Sequence, residues 1–270
     1  PSLLPLHFML HDKWEDVLFL HWKVPPELEP LLESCSKPFR LDKTKTASHD
    51  DNDGDGSCWI GLVFLTERNV GPYFLRPVTC VTHHGLNVRT YLRNNAIHFS
   101  SLECNSLFAT MGGNLFGIPY KFGTITRQRN QDFFSLSTIR SVGWKIWNFV
   151  LSIFSKRTNH NNGSSFSVAC EWERTRRAPP SKELAKFFVE RYVLYTRKYG
   201  INWRGEISHE EWPVEEAVLK KLNVVGINHY QPKNVQPLIA YMASKSPDSV
   251  LFSPGVGPIH FRMLRPTWSF

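Results

Sequence analysis

Hydrophobic and polar positions alternate most sharply in Leu86-Asn87-Val88-Arg89-Thr90-Tyr91-Leu92. A strand's period of two puts Asn87, Arg89 and Tyr91 on one face and Leu86, Val88, Thr90 and Leu92 on the other. An amide, a guanidinium and a phenol sharing a face either meet water or line a polar pocket, because burial without partners is costly. Further strands are read at 14–24, 58–65, 97–102, 124–129, 133–140 and 166–172, from their aromatic and β-branched content. Pro25 and Pro26 open a short helix through Leu28, Leu31 and Leu32. A second helix is predicted at 104–112. A third starts at Ser181 as N-cap, with helical spacing kept through Tyr195. Residues 142–156 carry apolar side chains over more than half of a helical wheel, including Trp144 and Trp147, with Lys145 and Lys156 on the remaining arc.

The turn after the second helix has its own logic. Gly113 allows a C-cap, and Gly117 and Pro119 force a tight reversal. Tyr120 and Lys121 then open a new strand, where alternation sends them to opposite faces. The adjacent His83 and His84 would face opposite sides of a strand, so a turn is the setting expected for them.

The 270 residues suffice for one large core. The net charge of +8 comes from scattered rather than clustered basic residues, which indicates a solvated surface and no nucleic-acid stripe. Nine Trp and nineteen Phe suit a sheet-rich fold around a roomy apolar pocket. Five cysteines without a CxxC pair disfavour a disulfide framework or a zinc site, and a reducing, cytoplasmic setting is the expectation. No signal peptide is visible, and no apolar run approaches a membrane span. Asp51-Asn52-Asp53-Gly54-Asp55-Gly56 imitates half of an EF-hand loop, but its twelfth place is Leu62 where a glutamate is required. A hairpin tip is expected there, and no metal. Neither a phosphate loop nor a nucleophile elbow is found, and no cofactor is implied.

The turn Gly113-Asn114-Leu115-Phe116-Gly117-Ile118-Pro119-Tyr120-Lys121 resembles the signature of the acetoacetate decarboxylase-like superfamily. Its ending is most similar to the YqjF-like branch of uncharacterised conserved proteins. His21-Trp22-Lys23-Val24-Pro25-Pro26-Glu27-Leu28, Leu86 to Tyr91, Glu190-Arg191-Tyr192, Leu194-Tyr195-Thr196 and Ser253-Pro254-Gly255-Val256 resemble further motifs of that branch, in the same order. The similarity covers about residues 14–262. It implies an α+β fold: a largely antiparallel, cone-like β-barrel with flanking helices, as a single domain over 1–270 with insertions at about 42–57 and 142–165.

In the decarboxylase, the first lysine of the signature forms a Schiff base. Tyr120 stands at that place, and Lys121 matches the lysine after it. A phenol cannot form an imine, and Lys121 lacks the neighbouring amine that would depress its pKa. Schiff-base chemistry is therefore disfavoured. The resemblance also places a glutamate where this chain has Gly85. Two readings stay open. In one, the barrel binds or transforms a small carboxylate or keto acid as a lyase, hydratase or isomerase. Arg89 then binds the anion, Tyr120 serves as proton donor and Glu103 is the candidate counter-charge. Asn87, Tyr91, Ser101, Phe116 and Lys121 would line the site. In the other, it is a non-catalytic binding module for an apolar ligand, presented to a membrane surface or a protein by the helix at 142–156. A homo-oligomer is compatible with both.

Overall fold

The computed structural model describes residues 7–44, 56–73, 80–115, 118, 120–130, 133–139, 167–198, 200–225 and 236–267. The helix expected over 142–156, the tip of the acidic segment at 45–55 and Phe116 lie outside these residues.

The fold is a large, mostly antiparallel sheet with four helices among the described residues. The strands are β1 (His7–His11), β2 (Lys13–Lys23), β3 (Trp59–Pro72), β4 (Val81–Leu92), β5 (Ala96–Cys104), β6 (Tyr120–Phe122), β7 (Thr124–Asn130), β8 (Phe133–Ile139), β9 (Ser167–Arg174), β10 (Val193–Lys198), β11 (Ile201–Ser208), β12 (Glu215–Val225), β13 (Ser249–Val256) and β14 (Ile259–Thr267). The helices are α1 (Glu29–Ser36), α2 (Leu107–Leu115), α3 (Lys182–Val189) and α4 (Gln236–Ser244). Among the described strands, only β5–β10 and β5–β6 run parallel.

The long strand β3 is the hinge of the topology. Its first ten residues pair with β2, from Trp59 opposite Lys23 to Arg68 opposite Lys13. Its last two, Gly71 and Pro72, pair with Leu10 and Met9 of β1. Because β1 also pairs with β14, the strands β3-β4-β5-β10-β11-β14-β1 close on themselves. Closure removes the exposed edge an open sheet would present. The other strands run β2-β13-β12-β9-β8-β7, and β7 returns toward the wall from its outer side. Arg127 of β7 reaches Asp16 of β2 at 2.6 Å and Thr66 of β3 at 2.5 Å.

The wall β2–β4 thus separates two apolar interiors. Leu18, Leu20, Trp22, Leu62, Phe64, Leu86 and Val88 face the arm, where Phe134, Trp172 and Phe252 meet them. Val17, Phe19, Val63 and Tyr91 face the closed ring, with Phe188, Trp212, Ile259 and Phe261. The period-two pattern of the sequence is this partition.

Three expectations need correction. His83 and His84 lie inside β4, not in a turn, and face opposite sides: His83 is buried and His84 meets Thr66 at 2.9 Å. The helix begun at Ser181, whose hydroxyl accepts from the Leu184 amide, stops at Val189, so Tyr195 belongs to β10. The Tyr192–Thr196 run is rich in aromatic and β-branched residues, and its pairing to β5 and β11 outweighs the helical spacing. The strand read over 58–65 continues to Pro72, which brings Glu67 onto the wall.

Gly255 sits at φ +127°, where an added Cβ would lie 2.3 Å from the Trp14 carbonyl oxygen. Gly255→Ala is expected to destabilise the protein by about 3 kcal/mol, combining strain and clash. Urea unfolding midpoints read this directly; an unchanged midpoint would show that β2 and β13 can separate at that point without loss.

Candidate functional site

Inside the ring, β3 and β4 present four opposed pairs: Gly61 with Arg89, Val63 with Asn87, Leu65 with Gly85, and Glu67 with His83. A cavity of about 290 Å³ runs along this face. Val17 and Phe19 of β2 and Ile97, Phe99 and Leu102 of β5 give it apolar sides. Its polar groups collect at two ends.

Arg89 marks one end. Its side chain is buried; Nη2 donates to the Phe188 carbonyl at 2.9 Å and Nε to the Tyr91 hydroxyl oxygen at 3.3 Å. Phe188 lies in the last turn of α3, so that carbonyl belongs to the negative end of a helix dipole. The guanidinium also lies 5.5 Å from the ring centres of Phe19 and Tyr91. Among the described residues no carboxylate forms an ion pair with it. Arg191 borders the same cavity but is committed, with Asp42 at 2.8 Å and carbonyls of Phe187 and Leu92. Beside Arg89, the Asn87 side-chain oxygen is buried with no protein partner. Tyr91 does not line the cavity. It stands behind Arg89, its phenol pushed up by burial.

Glu67 forms the other end, 4% exposed. Its Oε2 lies 2.9 Å from His11 Nδ1 and accepts from Trp14 Nε1 at 3.2 Å. The indole is also 2.8 Å from His11 Nδ1. It can donate to that nitrogen only when His11 carries no proton there, so this bond and one from His11 Nδ1 to Glu67 are alternatives. Oε1 accepts from Tyr120 Oη at 3.2 Å and has His83 Nε2 at 3.4 Å. Burial alone would raise the Glu67 carboxyl. The adjacent charge of His83 and the hydrogen bond from His11 outweigh it and hold the group well below the usual carboxylate range. Tyr120 moves the other way, raised by burial and then by the Glu67 charge, so its proton stays on.

The sequence-derived residues divide accordingly. Tyr120 lines the cavity, its ring packed where a Cβ on Gly113 would lie 2.5 Å away. Arg89 and Asn87 line it too. Lys121 pairs in register with Glu103, one step from the Tyr120–Leu102 row, and does not border the cavity. Glu103 borders it but forms no ion pair with Arg89: its partner on β4 is Leu86, on the other face of the strand. Ser101, opposite Val88, is buried outside the lining for the same reason.

Sequence reasoning missed Glu67, His83, His11 and Trp14. A signal existed for two of them. Counting back by twos from Arg89 and Asn87 through Gly85 reaches His83, and counting on from Val63 and Leu65 reaches Glu67. Gly85 also acquires a reason. A Cβ there would stand 3.3 Å from Glu67 Oε1, so the cavity's carboxylate comes from β3 where the resemblance placed one on β4.

The profile of a family described as uncharacterized conserved protein, DUF2071, matches residues 11–257. The uncharacterized protein YqjF of Bacillus subtilis (strain 168) is 25% identical over 257 residues, spanning 92% of this chain and 91% of that one. Among solved structures, an acetoacetate decarboxylase-like enzyme from Sphingomonas wittichii RW1 superposes with a TM-score of 0.56 at 11% identity, covering 100% of this chain and 96% of that one. The acetoacetate decarboxylase of Legionella pneumophila gives 0.55 at 10% identity, with 100% and 92% covered. The enduracididine biosynthesis enzyme MppR complexed with pyruvate gives 0.51 at 10%, with 98% and 91% covered. At these identities the structural likeness establishes the fold. Among the described residues, no helix is long and apolar enough to cross a membrane.

The Glu67 environment carries a pH signature. Its carboxyl titrates lower in the folded chain than in the unfolded one, near 4.3. Its contribution to stability is therefore complete above that value and is lost as the pH falls below it. Glu67→Gln is expected to be about 3 kcal/mol less stable at neutral pH, with a shallower decline than the wild type below about pH 4. Urea unfolding across that range measures both; parallel curves would refute the assignment.

Proposed function

The chain belongs to the DUF2071 family of uncharacterized conserved proteins, and from that premise we propose that its cavity binds a small carboxylate or keto acid and transforms it by acid–base chemistry, as a lyase, hydratase or isomerase, without a Schiff base. The observation that carries this reading is Arg89: a buried guanidinium facing an apolar cavity, stabilised by a carbonyl and two aromatic faces but paired with no carboxylate among the described residues. A buried cation in that state gains most from an anionic ligand, through a short, charge-assisted and potentially bidentate contact. Asn87 adds an unused acceptor beside it. Tyr120, with its proton retained, offers a donor to a ligand oxygen. Pyruvate bound to the fold relative MppR shows that this architecture admits a keto acid in that protein. Among the described residues that line the cavity there is no lysine, which supports chemistry without an imine.

A second reading, a carrier of an apolar ligand without chemistry, has one observation in its favour. Phe108 and Leu115 on α2 are 77% and 79% exposed, and Phe108 borders the cavity. Exposed apolar side chains beside a cavity suit transfer of an apolar guest.

Binding of pyruvate, acetoacetate and 7-oxooctanoate, read by calorimetry, separates the two. Arg89→Met is expected to raise the Kd of the acids by at least ~30-fold, equivalent to about 2 kcal/mol for a lost charge-assisted contact. If octan-2-one bound as tightly as 7-oxooctanoate, and Arg89→Met left both unchanged, the carrier would be the better account.

Borohydride reduction in the presence of the same acids is expected to leave the intact mass unchanged. A ligand-sized adduct at Lys121 would restore imine chemistry and overturn the proposal.

A further inference from the structure

We propose that His83 is the proton-transferring catalytic residue of this cavity, with Glu67 as its fixed counter-charge and positioning residue, and that the substrate is a keto acid whose carbonyl is separated from its carboxylate by an apolar segment. This deepens the reading of Arg89 as the anion site and rests on it.

Four histidines border the cavity or its walls without a complete set of partners, and geometry separates them. His21 is fully buried and stacked on Phe188 at 3.7 Å with both nitrogens unpartnered, but it does not line the cavity, and burial and Arg89 keep it neutral. His209 lines the cavity, yet its Nδ1 is 2.6 Å from the Glu210 carbonyl oxygen, and among the described residues no carboxylate forms an ion pair with it. His11 lines it, but its Nδ1 is taken up by Glu67 and Trp14. His83 alone combines a place in the lining, 2% exposure, two nitrogens without a hydrogen-bond partner and a carboxylate 3.4 Å from Nε2. A carboxylate beside one imidazole nitrogen orients the ring and stabilises its cationic form, leaving the other nitrogen for the substrate. Glu67 is suited to that role, since His11 and Trp14 hold its second oxygen. Tyr120 shares the His83-side oxygen, and its ring stands edge-on to His83 at 6.2 Å, so donor and base flank one spot.

The step balances within the site. In its neutral form, His83 takes the proton from the carbon next to the ligand carbonyl and becomes the imidazolium that the Glu67 carboxylate stabilises. The C–H electron pair moves into the new carbon–carbon double bond, and the carbonyl pair moves onto oxygen, to which the Tyr120 hydroxyl turns the one proton it otherwise donates to Glu67 Oε1. The proton then returns from His83 to carbon. Nothing is oxidised or reduced.

Chain length follows from register. Arg89 and His83 are six residues apart on β4, ~20 Å of strand. Between them β3 contributes the apolar Val63 and Leu65 opposite Asn87 and Gly85, and the 290 Å³ holds about ten groups of water's size. Side-chain reach shortens the gap, but a three-carbon keto acid cannot engage both ends.

The test is hydrogen–deuterium exchange of 7-oxooctanoate in D2O, followed by proton NMR, with pyruvate as the short comparator. The wild type is expected to exchange the protons flanking the remote carbonyl at least 10-fold faster than buffer and faster than those of pyruvate. His83→Gln is expected to lose this by about 100-fold or more while the Kd for 7-oxooctanoate changes less than 3-fold. Glu67→Gln is expected to shift the His83 ring nitrogen resonances and lower the exchange rate with little change in Kd. Far-UV circular dichroism confirms that each variant is folded; should Glu67→Gln unfold, Glu67→Asp replaces it, with a partial loss of rate expected. Undiminished exchange in His83→Gln, or loss of exchange only in step with loss of binding, overturns the role of His83 while leaving Arg89 as the anion site. Failure of the wild type to bind any of the acids overturns the anion site, and this inference with it.

Discussion

Every side chain on the inner strands of this fold must commit to one of two interiors. The wall β2–β4 has an apolar core on each side, so a one-residue slip would exchange them wholesale. The bulge at Asp16 shows how tightly this is held. Asp16 adopts φ +50° within β2, and its carboxylate anchors Arg127 and Arg129 of the returning strand β7. The register on either side of the bulge then puts Trp14 and Val17 toward the ring. The cavity is what remains when closure through Gly71 and Pro72 encloses more space than those side chains fill.

A wall with two dry faces makes each polar residue on it expensive, and the two polar ends are stabilised by different means. Arg89 relies on neutral partners: the last-turn carbonyl of α3 and the faces of Phe19 and Tyr91. The same helix end holds Arg191 through the Phe187 carbonyl, so the C-terminus of α3 serves two cations, only one of which also has a carboxylate. Glu67 relies instead on a ring of donors and imidazoles on four different strands, β1, β2, β4 and β6. Its charge survives burial because those groups surround it in the folded chain.

The likeness to acetoacetate decarboxylases extends to the fold. A phenol stands where the resemblance implies a reactive amine, and Gly85 gives up the room that the Glu67 carboxylate occupies.

The sequence by itself determined the class of the fold, the inward face of β4 and the opposite facing of Tyr120 and Lys121. Each of these depends on local alternation, on turn-forming Gly and Pro, or on motifs kept in order along the chain. Register then separated Arg89 from Glu103, because ladder pairing with Leu86 depends on where a bulge falls between β4 and β5. The Glu67 cluster was decided by tertiary structure alone. Glu67, His11, His83, Trp14 and Tyr120 come from five strands spread over more than a hundred residues, and no local pattern encodes which distant strands a closed ring will bring together. Parity along β3 and β4 pointed to the face on which His83 and Glu67 lie; ring closure through β1 brought His11 to them, and the β5–β6 pairing brought Tyr120.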